Sequence, residues 1–204
     1  SNAVAAALGN ALTLGATLDV ANAADLTLAG DISGNGALVK SGTGTLTLDG
    51  TNSYTGGTTL NAGTTVGDSA SLQGAIVDNA ALVFNQTTDG VFTGSITGTG
   101  SVTKDGAGDL RLNGANAYTG GTTITAGTLI GDTTSLQGNI LDNAALVFDQ
   151  AGGGVYAGVI SGTGSVEKTG AGALVLTGAN SYTGGTLVSA GSLIGNTTSL
   201  QGNV

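Results

Sequence analysis

The sequence predicts an all-β chain wound into a right-handed parallel β-helix of about nine to ten rungs, where a rung is one turn of the helix. The first supporting observation is a gapless internal repeat. Residues 45–108 and 109–172 align without a gap and are identical at 41 of 64 positions, and repetition at a fixed period is typical of solenoids. The same interval separates three sets of landmarks: Tyr54, Tyr118 and Tyr182; Ile32, Ile96 and Ile160; Lys40, Lys104 and Lys168.

The second observation is a set of short runs in which apolar and polar residues alternate. Leu46-Thr47-Leu48 and Thr123-Ile124-Thr125-Ala126 are examples, and glycine, asparagine or aspartate separates such runs every few residues. Alternation with period two over three to five residues predicts strands, and the Gly-rich breaks predict turns. No window of helical length keeps an apolar stripe, so we expect no helix.

The repeat length suits three rungs of about 21 residues each. Ile124, Leu146, Val166 and Val188 recur at nearly this spacing, so we expect them to stack as one inward-facing apolar column. With strands about 4.8 Å apart, the chain would form a rod roughly 45 Å long. A β-sandwich is the alternative fold, but a gapless repeat favours the solenoid.

The composition excludes several classes of function. The chain has no His, Cys, Pro, Met or Trp, and its formal net charge is −9. Without His and Cys there is no imidazole base, no thiol nucleophile, no disulfide and no zinc site of the usual kind. The four cations are Lys40, Lys104, Arg111 and Lys168, too few to form a basic surface, so we expect no nucleic-acid partner.

The organisation predicted for the chain is one continuous unit, because no Pro-rich or charged linker interrupts the repeat. Residues 1–3 look like the remnant of an expression tag, and residues 4–204 form a single β-helix segment. That segment comprises a partial repeat at 4–44, full repeats at 45–108 and 109–172, and a partial repeat at 173–204. Since the last repeat is incomplete, we expect a slice of a longer array, monomeric in dilute solution and able to stack end to end.

Carboxylates are the only remaining candidates for catalysis, and their spacing does not favour it. Asp78 and Asp142 are equivalent residues three rungs apart, too far to act together as an acid–base pair. A possible calcium-recruiting acidic column, with members about one rung apart, comprises Asp49, Asp68, Asp89 and Asp109. The column is not preserved in the following copy of the repeat, so we read these residues as independent acids in solvated turns. Arg111, close in sequence to Asp105 and Asp109, is expected to form a surface ion pair. We therefore predict no catalytic, cofactor-binding or metal-binding residue.

Three recurring polar residue types receive structural interpretations. Tyr54, Tyr118 and Tyr182 precede Thr-Gly-Gly, and we expect their rings to cover the edge of the coil with the hydroxyl at the surface. Sugar binding by these rings is the alternative. The recurring asparagines Asn52, Asn116 and Asn180 are expected at turns, in the left-handed region. The three recurring lysines are expected at a solvated edge.

The repeat also resembles a known family. The segment at residues 108–129, Gly-Asp-Leu-Arg-Leu-Asn-Gly-Ala-Asn-Ala-Tyr-Thr-Gly-Gly-Thr-Thr-Ile-Thr-Ala-Gly-Thr-Leu, resembles the autotransporter-associated β-strand repeat, and residues 44–66 and 172–193 carry the same pattern. This repeat occurs in passenger domains of Gram-negative autotransporters. The resemblance implies a β-helix exported through the outer membrane and displayed at the cell surface.

The functional expectation is a structural or adhesive passenger segment without catalysis. Its partners would be identical stalks or a host or matrix surface. Contact with the membrane would run only through a translocator domain outside this sequence. A carbohydrate-active or carbohydrate-binding β-helix is one alternative, and a passive repeat that aids secretion and folding of the passenger is the other.

Overall fold

The computed structural model describes residues 6–201, and every regular element in that range is a short β-strand. In chain order the strands are β1 (Ala6–Leu8), β2 (Leu12–Leu14), β3 (Leu18–Val20), β4 (Leu26–Leu28), β5 (Ile32–Gly34), β6 (Leu38–Lys40), β7 (Thr45–Leu48), β8 (Thr58–Leu60), β9 (Thr64–Gly67), β10 (Ile76–Asp78), β11 (Ala81–Asn85), β12 (Gly90–Phe92), β13 (Ile96–Gly98), β14 (Ser101–Asp105), β15 (Asp109–Leu112), β16 (Ala117–Tyr118), β17 (Thr122–Ile124), β18 (Thr128–Gly131), β19 (Ile140–Asp142), β20 (Ala145–Asp149), β21 (Gly154–Tyr156), β22 (Ile160–Ser161), β23 (Ser165–Thr169), β24 (Ala173–Leu176), β25 (Thr186–Val188) and β26 (Ser192–Ile194). The residues read as an expression-tag remnant lie outside the described range.

All strand pairs within this range are parallel, and each strand lies against the one a rung above or below it. Leu26 of β4 lies opposite Leu46 of β7, twenty residues on. Thr64 of β9 lies opposite Ala81 of β11, seventeen residues on. The rungs are therefore slightly shorter than the sequence predicts, but the predicted parallel β-solenoid is confirmed.

Three strand positions per rung give the solenoid three faces. The first face is one sheet of nine strands, in the order β1-β4-β7-β9-β11-β14-β17-β19-β22, which corresponds to nine rungs. The second face consists of β2-β5 and of β12-β15-β18-β20-β23-β25. The third face consists of β3-β6-β8-β10-β13-β16 and of β21-β24-β26.

Each copy of the repeat covers three rungs and one further strand. Leu38 lies opposite Thr58, Thr58 opposite Ile76, and Ile76 opposite Ile96. Three rungs from Leu38 therefore lead to residue 96, whereas the residue equivalent to Leu38 in the next copy of the repeat is Val102. Equivalent residues consequently move to the next face with each repeat. The three lysines illustrate this, because they lie in β6 on the third face, in β14 on the first and in β23 on the second.

Because equivalent residues move to the next face with each repeat, the apolar column expected from spacing is wrong. Leu146 and Val166 do lie opposite each other. Ile124, however, stacks between Lys104 and Asp142 on the first face, and Val188 lies opposite Lys168. Spacing alone does not identify the face of a strand when the repeat is not a whole number of rungs.

The core fills the narrow space between the three faces. Alternate residues of each strand point inward, as in β7, where Leu46 and Leu48 are buried and the two threonines are half-buried. Leucine, isoleucine and valine supply most of this interior, with edge-to-face aromatic pairs at Phe84–Phe92 and Phe148–Tyr156. The described range holds no helix long and apolar enough to cross a membrane.

Candidate functional site

The three recurring lysines are buried, so the expectation of a solvated edge is wrong. Lys40, Lys104 and Lys168 are all 0% exposed. Nζ of Lys104 donates hydrogen bonds to the backbone carbonyl oxygens of Asp105, Gly106 and Ala126, at 3.0, 2.8 and 2.9 Å. The other two ammonium groups bond to carbonyl oxygens in the same way. Burial lowers the pKa of each lysine, and a nearby carboxylate partly opposes that shift.

A glycine one rung above makes room for each of the first two ammonium groups. Gly127 has φ of +64°, and a Cβ atom at this position would lie 2.8 Å from Nζ of Lys104. Gly63 stands in the same relation to Lys40. Since only glycine combines the left-handed backbone with this free space, the lysine and the glycine form one structural unit within the repeat.

The three recurring asparagines are also buried, and they connect three successive rungs. Oδ1 of Asn116 accepts a hydrogen bond from the backbone N–H of Ile96 at 2.8 Å, one rung below. Its Nδ2 donates to the carbonyl of Ser135 at 2.7 Å, one rung above. Asn52 and Asn180 make the same two bonds in their repeats.

The expected left-handed conformation of these asparagines is wrong, because only glycines have positive φ in the described range. The asparagine side chains instead satisfy backbone groups where the regular strand ladder is interrupted. Asn52, for example, lies on the second face between β5 and β12. An unpaired buried backbone group would otherwise cost free energy comparable to a lost hydrogen bond.

The recurring tyrosines are buried together with their hydroxyl groups, which corrects the expectation of a surface hydroxyl. Tyr54, Tyr118 and Tyr182 are 2%, 2% and 1% exposed. Each phenol oxygen lies 2.6–2.7 Å from the hydroxyl of a threonine four residues later. Burial raises the pKa of Tyr54 and Tyr118. Rings in this position cannot stack on a sugar, so the three tyrosines do not support the sugar-binding alternative.

Asp78 and Asp142 are buried, which the sequence analysis did not predict. Both are 0% exposed. Oδ1 of each carboxyl accepts the backbone N–H of the residue two positions on, Ala80 or Ala144, at 3.0 Å. Within the described range, Oδ2 of each has no hydrogen-bond partner. Burial raises the pKa of both carboxyls, that of Asp142 to about 6.

The acidic column considered from the sequence is divided between two places. Asp49 and Asp68 follow neighbouring strands of the first face, whereas Asp89 and Asp109 lie at the start of the second face. The backbone N–H of Asp109 donates to a carboxylate oxygen of Asp89 at 2.9 Å. Among the residues the structure describes, no three acids are grouped so that they could hold a metal ion.

Arg111 does form a surface ion pair, but with a partner other than the acids close to it in sequence. Its Nη1 lies 2.7 Å from Oδ2 of Asp149, and both side chains are about one-third exposed. Asp149 ends β20, two strands away from β15 on the second face. A pair this exposed contributes about 0–1 kcal/mol to stability.

The comparisons with known proteins match the parts of the chain that contain these buried residues. Residues 38–66, 102–130 and 166–194 match the Passenger-associated-transport-repeat family. Each matched segment contains one of the recurring lysines, one asparagine and one tyrosine. The residues that mark the repeat are therefore interior residues that hold successive rungs together.

One similar protein is the adhesin BmaC autotransporter of Brucella suis biovar 1 (strain 1330). A stretch of 55 residues is 58% identical to it, which covers 25% of this chain and 2% of that protein. The chain thus corresponds to a small part of the length of this curated relative. No solved structure matches the chain. The resemblance inferred from the repeat is confirmed: three segments of this parallel β-solenoid match the Passenger-associated-transport-repeat family, and one stretch is similar to an autotransporter adhesin.

Proposed function

We propose that this segment is a structural and adhesive part of an autotransporter passenger, displayed at the cell surface of the full-length protein and without catalysis of its own. The observation that carries this proposal is the inward orientation of the repeat's polar residues. Lysine, asparagine and tyrosine are bonded to the chain itself, which leaves recognition to the outer surface of the described residues. The similarity to an autotransporter adhesin also supports it.

The outer surface suits many weak contacts. On the first face the outward positions include two adjacent pairs of threonines, Thr27 with Thr47 and Thr103 with Thr123. The two rungs between the pairs present Val66 and Val83 at this position. Such mixed hydroxyl and apolar positions can contact a second solenoid or a matrix surface without a pocket. Individually weak contacts become strong when many copies engage together.

Display of the segment on otherwise non-adherent cells tests this proposal. We expect clumping that increases with the number of copies on each cell. A version lacking residues 45–108 provides a matched control, since it keeps the repeat in phase and shortens the rod by about 15 Å. Turnover of a polysaccharide, or tight binding of one glycan at one place on a glycan array, would contradict the proposal.

A passive role in secretion and folding is the second candidate, and the match to a family described as transport-associated favours it. In that case the displayed segment causes no clumping, and loss of residues 45–108 lowers the amount of passenger that reaches the surface. The display experiment therefore separates the two roles by measuring clumping per displayed copy.

A further inference from the structure

Two equivalent carboxyl groups occupy the interior of the solenoid without a cation beside them. Asp78 ends β10 and Asp142 ends β19, and both side chains point inward. Each carboxyl lies beneath a glycine of the next rung, Gly100 or Gly164. A Cβ atom on either glycine would lie 2.3 Å from the carboxyl oxygen Oδ1. The glycine leaves a space that the carboxyl fills, and this space has no protein donor for Oδ2 within the described residues.

The elements packed against these two residues carry no charge. Asp78 lies in a strand between β8 and β13, and Asp142 in a strand between β17 and β22. None of these four neighbouring strands contains an ionisable side chain. No charge therefore faces either carboxyl from the strands paired with it. Lys168, buried in β23 on the second face one rung beyond Asp142, bonds to backbone carbonyls.

The nearest ionisable groups along the inward columns already have partners. Lys40 is separated from Asp78 by Leu60, and Lys104 is separated from Asp142 by Ile124. Both ammonium groups bond to backbone carbonyls instead.

The tyrosines above the carboxyls are likewise occupied. Tyr118 lies opposite Gly98, two rungs from Asp78, and bonds to a threonine. Tyr182 has the equivalent position above Asp142 and bonds to a threonine as well. Neither phenol is hydrogen-bonded to a carboxyl.

The first copy of the repeat shows what an uncharged residue does at the same position. Leu14 is the repeat equivalent of Asp78 and Asp142, it ends β2, and it is 7% exposed. Gly36, the equivalent of Gly100 and Gly164, is present there too. An apolar side chain therefore satisfies the packing at this corner. Aspartate adds an acceptor for the backbone N–H two residues on and the ability to gain or lose a proton.

We propose that Asp78 and Asp142 make the solenoid acid-responsive: their carboxyls are protonated in the folded chain at mildly acidic pH, and their ionisation at higher pH weakens the rungs around them. Burial without a cationic partner favours the neutral form of a carboxyl. In agreement with this, burial raises the pKa of Asp78 above its usual value of 3.8 and that of Asp142 to about 6, against a smaller opposing effect of the backbone N–H bond.

The direction of the pH dependence follows from this binding of protons. Between pH 4 and pH 6 the folded chain holds a proton on Asp142 that the unfolded chain has released. The stability contributed by protonation is thus present below about pH 4 and is lost as the pH rises towards about 6. Above that range the contribution no longer changes.

Urea denaturation of the whole chain and of the Asp142→Leu variant tests the proposal. We expect the folding equilibrium constant of the variant, divided by that of the unmodified chain, to rise about 100-fold between pH 4 and pH 7.5, because two pKa units correspond to that factor. Leu141→Val, at the exposed neighbour of Asp142, exchanges no ionisable group; it is the matched control, and its ratio should not depend on pH. A ratio for Asp142→Leu that does not depend on pH would overturn the proposal.

A second measurement does not depend on the folding of any variant. Carboxyl carbon NMR of the unmodified chain should show Asp142 titrating near pH 6. If Asp142 titrates near pH 4, as a solvated aspartate does, the proposal is wrong. Asp142→Asn, which keeps the shape of the side chain and removes its charge, should remove the same part of the pH dependence as leucine.

Discussion

Replacing Asn116 by alanine removes a side chain that satisfies backbone groups on two neighbouring rungs. The carboxamide accepts from the N–H of Ile96 at 2.8 Å and donates to the carbonyl of Ser135 at 2.7 Å, and both bonds are buried. In the variant both backbone groups lose their partner while they stay enclosed. Each unsatisfied buried group costs about 1–3 kcal/mol, so we expect the free energy of unfolding to fall by about 2–6 kcal/mol.

Urea denaturation followed by far-ultraviolet circular dichroism measures this loss. Asn113→Ala is the matched control, because Asn113 is exposed and lies three residues away on the same strand connection; its effect should stay within about 0.5 kcal/mol. If Asn116→Ala is no more destabilising than this control, the asparagine does not connect the rungs in the way the structure shows.

Two further substitutions test the other buried residues of the repeat. Lys104→Met removes the donor of the carbonyls of Gly106 and Ala126, whereas the carbonyl of Asp105 keeps the backbone N–H of Gln86. The free energy of unfolding, measured by urea denaturation, should fall by about 2–6 kcal/mol, and an unchanged value would mean that the ammonium is solvated. Tyr118→Phe removes only the hydroxyl bonded to Thr122 at 2.7 Å, so the free energy of unfolding should fall by about 1 kcal/mol in the same assay. Glycan binding should not change, and its loss would mean that the tyrosine hydroxyl is at the surface.

The fold class could be predicted from the sequence because two independent signals agree. The gapless repeat requires each unit to meet its neighbour in the same way, and alternation in runs such as Leu46-Thr47-Leu48 sets one buried side per strand. The length of a rung could not be obtained in the same way. Three rungs take fewer positions than one copy of the repeat, so the period includes an extra strand that only the register reveals.

The alternation of residues in the sequence did indicate that the lysines are buried, but the general rule that lysine stays exposed favoured the opposite interpretation. In Val102-Thr103-Lys104 the alternation places the lysine on the same side as a buried valine. Lysine is almost never fully buried unless it is paired, and its partners here are carbonyls of the next corner and of the rung above. Such partners become visible only when the register of neighbouring rungs is known.

The asparagines and the two buried aspartates had no comparable signal. Asn116 lies outside the regular strands, so alternation says nothing about its direction, and its two partners come from different rungs. Asp142 enters the sequence analysis only through its spacing from Asp78, which does not report burial. Its burial depends on the space that Gly164 leaves one rung above.

The central claim is that the repeat is a stack of parallel rungs with partners about twenty residues apart, and disulfide trapping tests it most directly. The chain has no cysteine, so no native thiol competes when a disulfide forms between two engineered cysteines. Thr103 and Thr123 lie opposite each other on adjacent strands, and Leu141 lies opposite Thr123 on the next. A disulfide needs Cα atoms within about 7 Å, whereas residues two rungs apart are separated by about 10 Å. The account predicts rapid oxidation of the Thr103→Cys/Thr123→Cys pair and none of the Thr103→Cys/Leu141→Cys pair within one molecule; the reverse pattern would contradict it.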